Sequence, residues 1–327
     1  MKLAKSTARA IVALVATLAL VATAIYYKVD DMGIGASEEQ TTLTIAYLPI
    51  THAVPLFKAA EQLEQQNSNV HVELVKYGGW AELMDALDSG RVDGASVLIE
   101  MAMEAKSQGI PLQLSVLGHR DGNVVIAGNN IQSPEQLKGK TIAIPNEQSS
   151  HNILVQQLLA KYGLSAKDVT LVEMAPAEMP AGLKSGQIDG YCVAEPFGAK
   201  AVETGVGHVL ATSDELWQNS ICCGIVFNTQ ATAGKQEALE TFKQAYLSAG
   251  DSLTKDEAVQ IAVNDLGQDE ATSEQSLQWI SFNDLNVTEE AYEKLRQEVI
   301  HYGLNDNPPT YRDFVAQRLG KGSITYE

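Results

Sequence analysis

One pattern is written twice in this chain. Residues 86–97 read ALDSGRVDGASV and residues 182–193 read GLKSGQIDGYCV, both fitting L-x-S-G-x-[VI]-D-G-x-x-V. Upstream, Thr44-Ile45-Ala46 and Thr141-Ile142-Ala143 each run to a proline (Pro49, Pro145), then a histidine (His52, His151), then a helical pattern. The Thr-Ile-Ala pair is offset by 97 positions (44 to 141) and the Ser-Gly pair by 96 (90 to 186). Two matches at nearly one offset mark an internal duplication of a single α/β unit. TLTIAYL and KTIAIP are β-rich and bounded by turn residues, hence strands. Apolar residues at helical spacing follow each, as at Ile153, Leu154 and Leu158. Gly90 and Gly186 then supply a left-handed helix end. Strands alternating with helices predict a mostly parallel sheet covered on both faces, with ligands beyond the carboxyl ends of the strands. Two such lobes facing each other make a cleft.

The apolar runs 123–128 (NVVIAG) and 221–227 (ICCGIVF) border the second repeat and are taken as the strands that cross between lobes. Lobe 1 is then 42–129 plus 227–327, and lobe 2 is 130–226. The tail is helical, with Leu239, Phe242, Ala245, Tyr246 and Ala249 on one face, and another helix running from Thr288 as N-cap to a stop at Gly303. It is expected to wrap lobe 1.

The N-terminus is different in kind. Residues 1–9 are basic and residues 10–27 uncharged, so residues 1–28 read as a signal peptide, with Ala22-Thr23-Ala24 as a cleavage pattern, or as an N-terminal membrane anchor. No cysteine follows the apolar run, so a lipoprotein is not expected. Residues 29–41 read as a linker, and either reading places the body outside the cytoplasm. Without Lys2, Lys5 and Arg9, 20 basic residues face 41 acidic ones, a net charge of −21. Nucleic acid would be repelled by such a body. Three cysteines are too few, and odd in number, for a disulfide scaffold.

With these pieces placed, the chain resembles the type II periplasmic solute-binding proteins of ABC importers, nearest to the nitrate/sulfonate/taurine branch that includes thiamine-pyrimidine-precursor binders. The residues that carry the resemblance are Ala46-Tyr47-Leu48-Pro49, the Gly78-Gly79-Trp80 turn, both S-G-x-[VI]-D-G turns and Tyr191-Cys192-Val193-Ala194-Glu195-Pro196-Phe197. It spans about residues 42–320. It implies a two-lobe clamshell joined by two crossing strands, closing on a small-molecule solute and docking on the transmembrane subunits of an ABC permease. A monomer without catalysis and without cofactor is expected.

Candidate ligand contacts follow from the repeat. Thr51 and His52 precede a helix, whose N-terminal amides can hold an anion or polar solute; a plain N-cap with a surface histidine is the alternative. Ser149, Ser150 and His151 occupy the equivalent place in lobe 2. By the resemblance, Trp80 lines the pocket; otherwise it is a packing tryptophan. Ser96, with Leu98 and Glu100, follows the first D-G strand. Glu195 follows the second, as a pocket residue, a latch between lobes, or a cap on the helix beginning at Pro196. Arg120 is a candidate carboxylate or sulfonate clamp, set against a solvated turn at Asp121-Gly122. Cys222 and Cys223 are placed in a strand, where neighbours point to opposite faces. They therefore read as buried apolar thiols, with no metal expected. A metal site joining Cys192 or one of these with His119, His151 or Glu195 is the other reading. The resemblance implies a lysine near this segment in nitrate and bicarbonate binders; Ser220-Ile221-Cys222-Cys223 has no cation, which counts against both solutes.

Enzyme signatures are absent. Gly139-Lys140-Thr141 mimics the end of a P-loop, but the position five before Gly139 is Pro134 and a strand follows. The reading is an importer's solute-binding protein, with an enzyme on the same scaffold (thiamine-pyrimidine-synthase-like) or a membrane-tethered sensor domain as alternatives.

Overall fold

The computed structural model describes residues 40–315. The expected leader, nearly all of the linker and the last twelve positions lie outside the described residues. Along the chain, the first unit runs β1 (Thr41–Tyr47), α1 (Val54–Gln65), β2 (Val70–Lys76), α2 (Trp80–Asp88), β3 (Gly94–Leu98), α3 (Ile99–Ser107) and β4 (Leu112–Leu117). A short β5 (Arg120–Asp121) leads to the second unit: β6 (Asn123–Gly128), β7 (Thr141–Ile144), α4 (Ser150–Lys161), β8 (Thr170–Glu173), α5 (Met179–Ser185), β9 (Gly190–Ala194), α6 (Phe197–Glu203) and β10 (Gly207–Thr212). After α7 (Ser213–Leu216) the chain returns through β11 (Cys223–Asn228), α8 (Gln236–Ser252), α9 (Lys255–Asn264), α10 (Glu270–Ser276), β12 (Ile280–Ser281), α11 (Glu289–His301) and α12 (Tyr311–Phe314).

Two five-stranded sheets result, ordered β2-β1-β3-β11-β4 and β10-β6-β9-β7-β8. In each, three strands of one repeat pair in parallel, and a strand arriving from the other unit lies antiparallel beside them: β11 in the first sheet, β6 in the second. The stretches 123–128 and 221–227 thus feed sheet strands, while the chain changes sheets in residues 118–122 and 213–222. The two crossings are tied together. The Asp121 amide donates to the Ser220 carbonyl (3.0 Å), and Asp121 Oδ1 accepts from the Ser220 amide (3.0 Å) and hydroxyl (3.1 Å).

The duplicated residues do the same work in both sheets. Asp93 Oδ2 accepts the Thr44 amide (2.9 Å), and Asp189 Oδ2 accepts the Thr141 amide (3.0 Å). In return the Asp93 and Asp189 amides donate to the Thr44 and Thr141 carbonyls, each at 2.8 Å. The repeated aspartate therefore fastens the start of its strand to the first strand of the unit. Lys235 adds a bidentate ion pair to Asp93 (2.7 and 2.8 Å), with Asp93 almost buried. Asp93→Ala leaves the Thr44 amide without its side-chain acceptor and Lys235 with only the Thr42 carbonyl. It is expected to lower stability by about 2–4 kcal/mol, read from urea unfolding.

Gly90 and Gly186 sit at φ of 71° and 76°, the left-handed helix ends expected. The tail behaves as its pattern requires: α8 buries Leu239, Phe242, Tyr246 and Ala249 and packs on α1 of the first unit. Helix α11 is capped by Thr288, whose side chain accepts from the Ala291 amide. No helix among the described residues is long and apolar enough to cross a membrane.

Candidate functional site

Between the sheets the chain buries an unusual number of ionisable groups. Thr51 and His52 lie in the 3-10 turn that leaves β1, Glu100 in the first turn of α3, His119 and Cys222 in the two crossings, and Cys223 opens β11. From the second unit come Ser149, Ser150 and His151 at the start of α4 and Glu195 after β9. All are at most 1 % exposed. No lysine or arginine is buried among the described residues.

The centre of this cluster is His52, His119, Cys222 and Cys223, whose donor atoms all lie within 4.8 Å of one another. The two sulfurs are 3.7 Å apart, and Cys223 Sγ is 3.5 Å from His52 Nδ1. The expectation that adjacent cysteines face opposite ways fails here. Cys222 precedes the strand, and strand alternation begins only with Cys223. His52 Nε2 lies 3.0 Å from the Gly122 carbonyl, which can only accept; Nε2 therefore carries a proton, and Nδ1 is the nitrogen that faces the sulfurs. The His119 ring stacks on that of His52 with centroids 3.4 Å apart.

Several of these groups have no hydrogen-bond partner: both nitrogens of His119 and of His151, both oxygens of Glu100, Glu195 Oε1 and the Ser150 hydroxyl. Buried polar atoms are nearly always paired, so orphans at this density mark a site for a ligand. Burial, with His52 alongside, pulls His119 down to about 4, and burial pulls His151 to about 4 against the opposing pull of Cys222. Both imidazoles are neutral at pH 7. Burial pushes Glu100 well above the carboxylate range, with Cys222 adding to the effect. Burial also opposes ionisation of Cys222, yet its thiol is held well below the usual range because Cys223, His151, His119 and His52 surround the sulfur.

The remaining sequence candidates divide. Thr51 donates its hydroxyl to Gln268 Oε1 (3.2 Å) and its amide to the Glu195 carbonyl (2.9 Å), so it joins the two units. Ser149 is the N-cap of α4, accepting from the Asn152 amide. Glu195 caps α6, with Oε2 accepting the Ala199 amide at 3.0 Å while Oε1 stays unpaired. Ser96 lies mid-strand in β3 opposite Ile225. Trp80 opens α2 inside the core of the first unit. Arg120 points elsewhere: Nε and Nη2 donate to the Asp284 carbonyl at 3.0 and 2.8 Å, so its fork is used in holding the 280–286 segment. His119, Cys222, Cys223 and Glu100 are central to the cluster but were not foremost in the sequence. A His before one crossing and a Cys pair after the other were the available signal.

A scan of protein families matches residues 36–266 to the NMT1-like family. The chain belongs to that family. A structure from Staphylococcus aureus, a ligand-binding component of an ABC-type import system solved with zinc bound, is 34% identical. It superposes with a TM-score of 0.81 over 84% of this chain and 96% of that one. The periplasmic aliphatic sulphonate-binding protein SsuA from Escherichia coli shares the fold, with a TM-score of 0.66 over 88% and 95% of the two chains at 19% identity. The nitrate import ATP-binding protein NrtC of Synechocystis sp. is 29% identical over 210 residues, 58% of this chain and 31% of that protein. The chain therefore spans about a third of the length of such relatives. It is homologous to components of ABC importers, with two α/β units of the periplasmic-binding-protein fold.

Proposed function

We propose that this NMT1-like protein is the extracytoplasmic solute-binding component of an ABC importer, capturing a small solute by closing its two lobes and presenting the closed form to permease subunits. One observation carries the reading: the cluster drawn from both lobes and both crossings is sealed from solvent while many of its polar atoms remain unpaired. The seal is made between lobes. Lys200 on α6 pairs with Asp269 before α10, Glu203 accepts the Thr272 hydroxyl, and Gln157 on α4 donates to Glu298 on α11 (3.2 Å). Opening these contacts about the crossings 118–122 and 213–222 would expose the cluster, a hinge motion.

The importer role is supported by the family and by relatives named for import systems. That no lysine or arginine is buried among the described residues argues against a bare oxyanion as cargo, because a sealed anion needs a compensating charge. The zinc in the S. aureus relative supports a cleft that accepts a metal ion.

The chain purified from an exporting host, as that host leaves it, should contract in small-angle X-ray scattering on adding its solute and melt several degrees higher. A ligand at about 100 times its Kd adds roughly 2.7 kcal/mol. A panel of nitrate, bicarbonate, taurine, alkanesulfonates, a pyrimidine precursor and divalent metals, none of which contracts or stabilises the protein, would overturn the proposal. The Lys200–Asp269 pair is half exposed, 39% and 62% by side chain, so Lys200→Ala is expected to weaken solute affinity by no more than about fivefold. A titration at low and high salt checks this; a larger loss would make the pair a main holder of the closed state.

A further inference from the structure

Four side chains at the floor of the cleft have the composition and spacing of a metal-binding set. We propose that the solute captured here is a thiophilic divalent transition-metal ion, bound by His52 Nδ1, a His119 nitrogen and the thiolates of Cys222 and Cys223. The inference rests on the solute-binding reading above and names the class of solute.

Geometry comes first. A tetrahedral Zn²⁺ with bonds of ~2.3 Å to sulfur and ~2.0–2.1 Å to nitrogen sets sulfur–sulfur edges at about 3.7–3.8 Å and sulfur–nitrogen edges at about 3.5–3.6 Å. The chain places Cys222 Sγ and Cys223 Sγ 3.7 Å apart, and Cys223 Sγ 3.5 Å from His52 Nδ1. With the four donors mutually within 4.8 Å, little movement completes the tetrahedron. A vicinal disulfide is not the explanation of the sulfur contact, since bonded sulfurs are ~2.05 Å apart and all three cysteines are free.

Orientation agrees. A metal-binding imidazole characteristically donates its other N–H to a carbonyl or carboxylate, fixing the tautomer. His52 meets that requirement through Gly122, in the first crossing. A chain of weak thiol contacts could link Cys222, Cys223 and the two imidazoles, but neither nitrogen of His119 makes a hydrogen bond of ordinary geometry in it. An ion accounts for His119 as well.

Charge agrees too. Two thiolates and two neutral imidazoles around a divalent ion sum to zero, which suits a cavity with every donor at 0 % exposure. The same donor set selects Zn²⁺ and its softer neighbours over Mg²⁺ or Ca²⁺, which take oxygen ligands. Because the donors are sealed, an ion can enter or leave only when the lobes part, so binding is coupled to closure. His52 and Cys223 come from the first unit while His119 and Cys222 come from the two crossings, which places the ion on the hinge itself.

The test uses the full chain from an exporting host, reduced and stripped with a chelator, then titrated with Zn²⁺ and Co²⁺. One ion per chain is expected, with Co²⁺ giving the intense visible bands of a tetrahedral site and a thiolate charge-transfer absorption. In the unaltered protein Zn²⁺ should shield two of the three thiols from alkylation. Cys222→Ser and Cys223→Ser should each weaken Zn²⁺ by more than about 100-fold, since loss of a mere supporting contact already weakens such sites 10–100-fold. A weak, octahedral Co²⁺ spectrum with unshielded thiols overturns the proposal, whether or not the variants fold. So does unchanged Zn²⁺ affinity in a Cys222→Ser/Cys223→Ser variant that keeps the native circular dichroism. If Zn²⁺ binds through these residues without contracting the protein in X-ray scattering, the ion is not captured by closure and the proposal also fails. If taurine or an alkanesulfonate contracts the stripped protein and Zn²⁺ does not, this inference falls while the importer reading stands. If no member of the wider panel does, the importer reading falls with it.

Discussion

Gly190→Ala is expected to lower the unfolding free energy by about 1–3 kcal/mol, a fall in Tm of roughly 3–10 °C for a chain of this size. Gly190 is the second glycine of the D-G repeat. A Cβ placed there would sit 2.7 Å from the Ile126 carbonyl oxygen, inside the neighbouring strand, which cannot retreat without breaking its ladder. Gly94, its counterpart in the first repeat, faces Phe227 in the same way, with ring carbons at 2.5 and 2.7 Å and the Val226 carbonyl at 3.0 Å. In both sheets the glycine lies against the antiparallel strand that arrives from the other unit. The motif therefore marks the places where the two units are joined, and Gly94→Ala should behave like Gly190→Ala. Gly78→Ala is the control: nothing lies within 4 Å of its Cβ and its φ is not positive, so its effect should stay within about 0.5 kcal/mol. Urea unfolding of the three variants decides the matter. Equal stabilities for Gly190→Ala and Gly78→Ala would show that the sheets yield where they are described as tight.

The second large effect concerns Glu195. Burial pushes its carboxyl up to about 8, with only the Ala199 amide pulling the other way. Between the ordinary value of 4.5 and about 8, the folded chain holds a proton that the unfolded chain has released. Stability therefore falls as pH rises through that window, by up to about 1.4 kcal/mol per pH unit. His119 and His151 act in the opposite sense below 6.5, because burial keeps them neutral when folded down to about 4. Between about pH 6.5 and 8 those histidines drop out, but Glu100, whose carboxyl is also raised by burial, and Cys222, whose thiol is held low, still contribute, so the readout is the difference between the protein and its Glu195→Gln variant. Over this range the urea midpoint of the unaltered protein should fall, relative to that of Glu195→Gln, as pH rises. A difference between the two midpoints that does not change over this range would mean that Glu195 is ionised in the folded protein.

The division of labour between sequence and tertiary structure is visible in particular residues. The strands through Thr44 and Thr141, helix ends at Gly90 and Gly186, and the cap at Thr288 are local matters. Each is set by a few neighbours along the chain, and each appears where the residue pattern puts it. The duplication added one fact beyond local structure, namely that two equivalent units face each other, and from this His52 and His151 could be placed toward one cleft. Arg120 shows the limit of such reasoning. Its fork suited an anion, but its partner, the Asp284 carbonyl, lies 164 positions away and could not be foreseen.

The cysteines show it more sharply. Alternation along a strand separates adjacent side chains, and applied to Cys222 and Cys223 it sent the two sulfurs apart. The rule holds only inside a strand, and β11 begins between them. Cys222 belongs to a crossing whose path is set by Asp121–Ser220 hydrogen bonds to the other crossing. His52 reaches Cys223 across 171 positions, and His119 arrives on the first crossing. By itself the sequence determined the α/β class, the two repeated units and the direction in which their strand ends point, because these depend on periodicity and on glycine and aspartate at short range. Only the tertiary structure decided which ionisable groups meet, that they meet buried and, among the described residues, with no buried lysine or arginine, and that the donor atoms of four of them lie within 4.8 Å of one another. Those facts depend on distances between segments brought together by folding, and no local pattern encodes them.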